Sequence, residues 1–208
     1  MGTAVSTKKV KKGRASAQFA EGKEKKLVDL LEKTVEQNTI FEGRVIHVRV
    51  DQAELPNGKI ASREVVEHPG GVTVAALTEN DELLFVRQFR YPFGKLLLEL
   101  PAGKLERGED PLEAGRRELL EETGMTAGRF EPIGKMYPTP GYCSEIIYLY
   151  AASELTYRGQ KLDEDEFLEV ERIPLREAVR QVLAGEISDA KTQIGILKTY
   201  LMRQGGEL

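Results

Sequence analysis

Six glutamates crowd one short stretch of this chain, GKLERGEDPLEAGRRELLEETGM, Gly103 to Met125, and four of them, Glu113, Glu118, Glu121 and Glu122, fall on what reads as one short helix. Glu118, Glu121 and Glu122 stand three and four residues apart, so a helix would put them on one face, where like charges repel. Neighbouring arginines, here Arg116 and Arg117, can offset the repulsion, and so can a bound cation. Carboxylates converging on one face make a hard, oxygen-rich site that suits Mg²⁺ or Mn²⁺. Zinc favours nitrogen and sulfur, and the chain has only two histidines, His47 and His68, and one cysteine, Cys143. Magnesium held by few carboxylates keeps waters and meets substrate phosphates. It makes water a better nucleophile and neutralises charge on the phosphorus under attack. The chemistry these residues suggest is attack of water on a phosphate ester or anhydride. The bland alternative is an exposed helix laced with salt bridges.

That chemistry needs a scaffold. Asp110 is a good N-cap, Pro111 suits the first helical position, and Glu113 can complete a capping box. Gly124 is a natural stop, so the spacing predicts a helix over Pro111–Thr123 with Leu112, Leu119 and Leu120 available for burial. Upstream, Lys23–Gln37 reads as a helix with an apolar stripe through Leu27, Val28, Leu30, Leu31 and Val35. From Thr39 the period changes to two, with Ile46, Val48 and Val50 on one face. Pro56-Asn57-Gly58 marks a turn before a strand at Ile60–Glu67. Val72–Thr78 reads as a buried strand, Glu79-Asn80-Asp81 as a turn, and Leu83–Arg90 as its hairpin partner. Further strands are expected at Leu96–Leu100 and near Arg129–Tyr137, Glu145–Ala152 and Phe167–Arg172. Leu175–Leu183 and Asp189–Met202 read as helices. Strands interrupted by a few helices predict an α/β or α+β domain.

Composition narrows the setting. With 208 residues, 40% of them hydrophobic and 31% charged, the chain suits one globular domain with a modest appendage. Residues 1–21 read as a disordered basic tail, 22–38 as an N-terminal helix, and 39–205 as the main domain. The tail opens on a loose myristoylation pattern, Met1 to Ser6, followed by Lys8, Lys9, Lys11, Lys12 and Arg14. A solvated tail is the reading adopted. A net charge of −4 exerts no general pull on nucleic acid or membrane, and neither is expected as a partner. No apolar run approaches the roughly 18 residues of a membrane span. A single cysteine precludes an internal disulfide and fits a reducing cytoplasm.

Gly103, Glu109 and the run Arg117-Glu118-Leu119-Leu120-Glu121-Glu122-Thr123-Gly124-Met125 together resemble the Nudix box. That pattern is G-x5-E-x7-R-E-U-x-E-E-x-G-U, with U a bulky aliphatic residue, and no position departs from it. The resemblance implies a Nudix α/β/α sandwich around a mixed β-sheet, with an N-terminal antiparallel strand region. It implies a divalent metal, Mg²⁺ or Mn²⁺, beside the diphosphate of a nucleoside diphosphate derivative. Glu118 and Glu122 would be metal ligands, and Glu121 a further ligand or a catalytic carboxylate just outside. The backbone carbonyl of Ala102 would also coordinate, Arg117 would orient the glutamates, and Glu109 would brace the loop.

Other stretches resemble the ADP-ribose pyrophosphatase subfamily. Pro140 falls fifteen residues past the box, and Thr139-Pro140-Gly141 with Glu145 resembles that subfamily's S/T-P-G-x-x-x-E segment. Arg87-Gln88-Phe89-Arg90-Tyr91 resembles its Q-x-R segment, which implies that Arg90 contacts substrate phosphates. Arg63-Glu64 resembles a pair in which Arg63 would reach the ligand. The acidic run Leu162–Phe167 resembles the loop that carries a general base, either Glu164 or Glu166. The resemblance further implies a homodimer built on strands about 39–68, with Phe41 and Tyr91 as stacking partners for the substrate. The expected activity is hydrolysis of ADP-ribose to AMP and ribose 5-phosphate. The alternatives are another nucleoside diphosphate sugar such as GDP-mannose, or a non-catalytic ADP-ribose sensor.

Overall fold

The computed structural model describes residues 30–208 apart from Asp163 and Asp165. The basic tail, with its myristoylation pattern, lies outside the described residues, as does the first part of the helix expected at Lys23–Gln37. The described end of that segment is not helical: Lys33–Glu42 is strand β1. Thr34, Val35, Thr39, Ile40 and Phe41 are β-branched or aromatic, types that lose side-chain freedom in a helix and fit a pleated surface. Leu30, Leu31 and Val35 bury no stripe and are exposed. Strands β2 (His47–Glu54) and β3 (Ile60–Glu67) complete a three-stranded sheet in the order β1-β2-β3. The turn at Pro56-Asn57-Gly58 forms as expected, with Gly58 left-handed at φ 77° and its N–H donated to Leu55 O at 2.8 Å.

The chain resolves into two compact units, one running to Asn38 with Val50–Glu64, the other Thr39–Arg49 with Val65–Leu208. In the smaller unit Arg63 grips Glu32 with two hydrogen bonds, 2.8 Å from Nε and 2.6 Å from Nη2.

The larger unit holds two more sheets. Its strands are β4 (Gly71–Ala76), β5 (Glu82–Arg90), β6 (Lys95–Glu99), β7 (Ala102–Lys104), β8 (Met125–Met136), β9 (Ile147–Tyr157) and β10 (Leu168–Pro174). Its helices are α1 (Pro111–Thr123), α2 (Leu175–Leu183) and α3 (Ala190–Gly205). The sheets run β10-β5-β6 and β7-β4-β9-β8. β4 and β9 are parallel and the other pairs in these two sheets antiparallel, so the sheet system is mixed.

Alternation along the central strands feeds two cores. Val72, Val74 and Ala76 of β4, with Leu84 of β5, pack on Ala114 and Leu119 of α1. Ala75 and the neighbouring Leu77, with Leu83 and Phe85, pack on Leu175, Ala178 and Val182 of α2 and on Ile196 of α3. Helices therefore cover both faces, which is the α/β/α layering expected. Each fully buried side chain such as Phe85 or Leu119 contributes about 1.5–3 kcal/mol.

One expected pairing is corrected. β4 and β5 are joined by the tight turn read from Glu79-Asn80-Asp81, yet they meet only in a bridge between Leu77 and Leu83. Beyond it they diverge into different sheets, β4 toward β7 and β9, β5 toward β6 and β10. Both strands are apolar on two faces, and such runs carry no alternation to specify a partner.

Helix α1 begins and ends as its residues dictate. Asp110 Oδ1 accepts from Leu112 N at 2.9 Å and Glu113 N at 3.3 Å, and Gly124 closes the helix at φ 71°. Asp110→Ala is expected to lower stability by about 1 kcal/mol in urea unfolding. An unchanged midpoint would show that the sheet alone holds α1.

Candidate active site

Helix α1 turns Glu118 and Glu122, one helical turn apart, inward, leaving them only 7% and 3% exposed. Burying two carboxylates on one face is costly, and the surroundings answer in specific ways. Arg117 spans three acids. Its Nε and Nη2 bind Glu109 at 2.9 and 3.1 Å, and its Nη1 binds Glu118 Oε1 at 2.9 Å and Glu121 Oε2 at 2.8 Å. Glu109 is held below its ordinary range by that guanidinium. Its Oε2 also accepts from Glu106 N at 2.9 Å, which closes the loop ahead of the helix. Arg116, expected to share this task, turns elsewhere: its guanidinium lies 4.8 Å over the Phe130 ring and reaches Ala127 O at 3.4 Å.

β7 supplies the backbone side of the site. Ala102 N donates to Glu122 Oε2 at 2.9 Å. The next residue, Gly103, leaves room for Glu118, since a Cβ there would stand 1.8 Å from Glu118 Oε1. Burial pushes the Glu118 carboxyl up to about 7, with Arg117 opposing and Glu121 and Glu166 adding to the rise. Burial pushes Glu122 up to about 8, with the Ala102 amide and Arg90 opposing and Glu118 and Glu166 adding.

The two candidates in the acidic loop sit in different surroundings. Glu166 acts on both Glu118 and Glu122, whereas Glu164 sits exposed in a turn. The segment leading to Glu166 is tied to the end of α1. Arg158 N donates to Gly124 O at 2.7 Å, Gln160 Nε2 to Glu122 O at 2.6 Å, and Lys161 N to Glu121 O at 3.1 Å.

A cavity of about 470 Å³ opens beside Ala102 and Gly103, and all its lining residues belong to the larger unit. Arg90, Glu145, His68 and Lys191 line it. Glu145 lies 3.5 Å from His68 Nδ1, on a loop pinned to β3 by Val66 N to Tyr142 O at 2.7 Å and Ser144 N to Val66 O at 2.9 Å. Pro138 and Thr139 reach the cavity, while Pro140 is exposed beyond them. Phe41 and Tyr91 are exposed, and Arg63 is engaged with Glu32.

Arg90 is more tightly held than the sequence suggested. It binds the 1% exposed Glu99 through Nε at 2.6 Å and Nη2 at 2.7 Å, and Lys191 reaches the same carboxylate. Burial pushes Glu99 up, but Arg90 and Lys191 outweigh it and hold the carboxyl below its ordinary range. Sequence reasoning missed Glu99, Lys191 and the cavity role of His68. A charge inside Leu96-Leu97-Leu98-Glu99-Leu100 was the available signal for Glu99; Lys191 carried none.

The donor set fits a hard divalent cation, being all oxygen, partly buried and backed by a backbone that leaves room. Among the described residues no three His, Cys, Asp or Glu side chains form a complete metal cage. Arg117 already draws Glu118 and Glu121 to itself. A cation held here would complete its shell with water and substrate oxygens, as magnesium does with phosphates.

The NUDIX domain family matches residues 67–192. The chain belongs to the Nudix family. The Nudix box is thus the loop, helix and turn described above, and Nudix hydrolases generally use a divalent metal. A second family, the nucleoside diphosphate sugar hydrolase N-terminal domain, matches residues 32–66. The chain is 46% identical over 169 residues to the ADP-ribose pyrophosphatase of Bacillus subtilis (strain 168), covering 80% of this chain and 91% of that one. It is 43% identical over 175 residues to the methanol dehydrogenase activator of Bacillus methanolicus, covering 83% and 94%. A crystal structure of an ADP compounds hydrolase superposes with a TM-score of 0.75 over 86% of this chain and 98% of that one. At 22% identity it supports the Nudix fold alone.

The raised carboxyls link stability to pH. From an ordinary value of 4.5, Glu118 and Glu122 rise to about 7 and 8, so the folded metal-free chain favours their neutral forms. Their contribution is complete below pH 4.5 and is lost as pH climbs through those two values. In EDTA, Glu122→Gln is therefore expected to melt about 5 °C or more above wild type at pH 9, with the gap closing by pH 5. Equal melting curves at pH 9 would contradict the burial assigned to Glu122.

Proposed function

We propose that the protein hydrolyses the diphosphate of ADP-ribose to AMP and ribose 5-phosphate, with Mg²⁺ or Mn²⁺ as cofactor. The observation that carries this reading is the meeting of Glu118 and Glu122, on both of which Glu166 acts, with Ala102 and Gly103, which line a cavity whose wall also holds Arg90. The likeness to the Bacillus subtilis enzyme supports the choice of substrate.

Glu118 and Glu122 would hold the cation, with Glu121 and the Ala102 carbonyl as further donors. The cation supplies charge neutralisation for the diphosphate and a more acidic water. Arg117 keeps the carboxylates aimed. Arg90 binds phosphate oxygens, and Glu145 with His68 forms the far wall for the remainder of the substrate. Glu166 takes the proton as the water oxygen bonds to one phosphorus and the bridging oxygen departs with the other. Glu166 is preferred to Glu164 because it interacts with the metal-side carboxylates. The single cysteine supports a cytoplasmic setting. Exposed Ile40, Phe41, Val45 and Ile60 support a homodimer through the N-terminal strands.

Product analysis tests the reading. With Mg²⁺ and a panel of ADP-ribose, GDP-mannose, NADH, diadenosine polyphosphates and dGTP, ADP-ribose should turn over fastest and yield AMP and ribose 5-phosphate. Glu122→Gln should lose at least about 100-fold in turnover. Glu166→Gln should lower kcat by about 10²–10⁴-fold, while Glu164→Gln stays near wild type. Preferred cleavage of GDP-mannose would overturn the substrate, and tight ADP-ribose binding without cleavage would indicate a sensor. Sedimentation velocity should give a dimer; a monomer at micromolar concentration would remove that element.

A further inference from the structure

Glu99 is a carboxylate buried to 1% exposure, yet two cations from different elements converge on it. One, Arg90, ends β5. The other, Lys191, stands in the first turn of α3. A single guanidinium already gives Glu99 a bidentate partner, so burial of this acid does not by itself require a second cation. Lys191 is in turn held by Asp189, whose Oδ1 lies 3.0 Å from its Nζ while Oδ2 caps Thr192 N at 2.9 Å. The ammonium is thus fixed from two sides, with its side chain 12% exposed.

Donor counting shows what this arrangement leaves over. An ammonium has three N–H donors and a guanidinium five. Among the described residues Lys191 spends donors on Glu99 and Asp189, and Arg90 spends Nε and Nη2 on Glu99, leaving Nη1 unused. Both side chains line the cavity that also includes Ala102 and Gly103, the backbone edge of the carboxylate site. A donor held rigidly at a cavity wall loses little conformational entropy on meeting a ligand.

We propose that Lys191 is a second substrate-binding cation, which together with Arg90 forms a two-pronged clamp for the phosphate oxygens of a nucleoside diphosphate, with Glu99 as the shared positioning residue. The proposal rests on the functional reading above and deepens it. A diphosphate carries charge on both phosphorus centres. The carboxylate site would bring a cation to one side of that charge, and the clamp brings two fixed cations to another. The clamp belongs to binding, so its loss should appear in KM.

Steady-state kinetics on ADP-ribose test this with Lys191→Gln, which keeps an N–H donor for Glu99 and Asp189 but removes the charge. KM should rise about tenfold, with kcat within about threefold of wild type. The dependence of KM on KCl should become shallower, because one ionic contact is gone. Lys191→Arg should return KM to within about twofold. A folded Lys191→Gln with unchanged KM and salt dependence would overturn the clamp, as would a loss confined to kcat. Should Lys191→Gln fail to fold, the double variant Lys191→Gln/Asp189→Asn decides, because it removes one charge of each sign and keeps an acceptor for Thr192 N: a KM raised about tenfold supports the clamp, and a wild-type KM overturns it. If the wild type does not cleave ADP-ribose, the functional reading fails instead. The clamp is then tested by ITC with ADP in EDTA, where weaker binding to Lys191→Gln supports it and equal binding overturns it.

Discussion

The site depends on keeping several carboxylates together where water is scarce. Arg117 makes this possible for three of them, binding Glu109, Glu118 and Glu121 with one guanidinium. A planar fork with five donors can do this; a lysine in its place has three donors at one point and cannot span the same acids. Glu122 has no such partner on its own helix and is helped by the Ala102 backbone amide and, from farther off, by Arg90. The cost of ionising a carboxylate is therefore highest at Glu118 and Glu122, on the side of α1 that meets β7. A cation bound there, as proposed, would relieve that cost by favouring both carboxylates in their ionised forms.

The two-sheet architecture turns that local strain into a usable site. α1 is held down by Ala114 and Leu119 on the core beneath it, so its acidic residues cannot swing out to water without uncovering apolar surface. β7 is only three residues long, yet it brings Ala102 and Gly103 against the helix. The other core, under α2 and α3, fixes the first turn of α3 and with it Asp189 and Lys191. The cavity thus has one wall built on each core. Arg90 and Lys191 on its wall are held by Glu99, which is buried beneath it.

What was legible in the sequence follows the range of the forces involved. The helix bounds were readable because caps act locally: Asp110 and Gly124 sit beside the bonds they satisfy. The Nudix box was readable because its glycines and glutamates answer constraints within one loop and helix. The pairing of β4 and β5 was not, since strands buried on both faces look alike to any partner. Nor was β1, where Val35 closes an apolar stripe at helical spacing but stands among the β-branched and aromatic residues of a strand. Arg116 and Arg117 are identical in type and adjacent, but the helix rotates them apart, sending one to Phe130 and the other to the acids. Glu164 and Glu166 differ in surroundings, one exposed in a turn and the other acting on Glu118 and Glu122, a difference their local sequence does not carry. Glu99 and Lys191 meet across 92 residues of sequence, a contact that no local pattern announces.

The ties between the segment at 158–161 and the end of α1 carry one more consequence. Two of the three use main-chain N–H groups, those of Arg158 and Lys161, and all three accept at main-chain carbonyls. Side chains at 158 and 161 can therefore drift over evolutionary time without moving the anchor. If Glu166 acts as the proposed base, the number of residues between Lys161 and Glu166 is freer in spelling than in count, because one residue of extended chain spans about 3.3–3.6 Å.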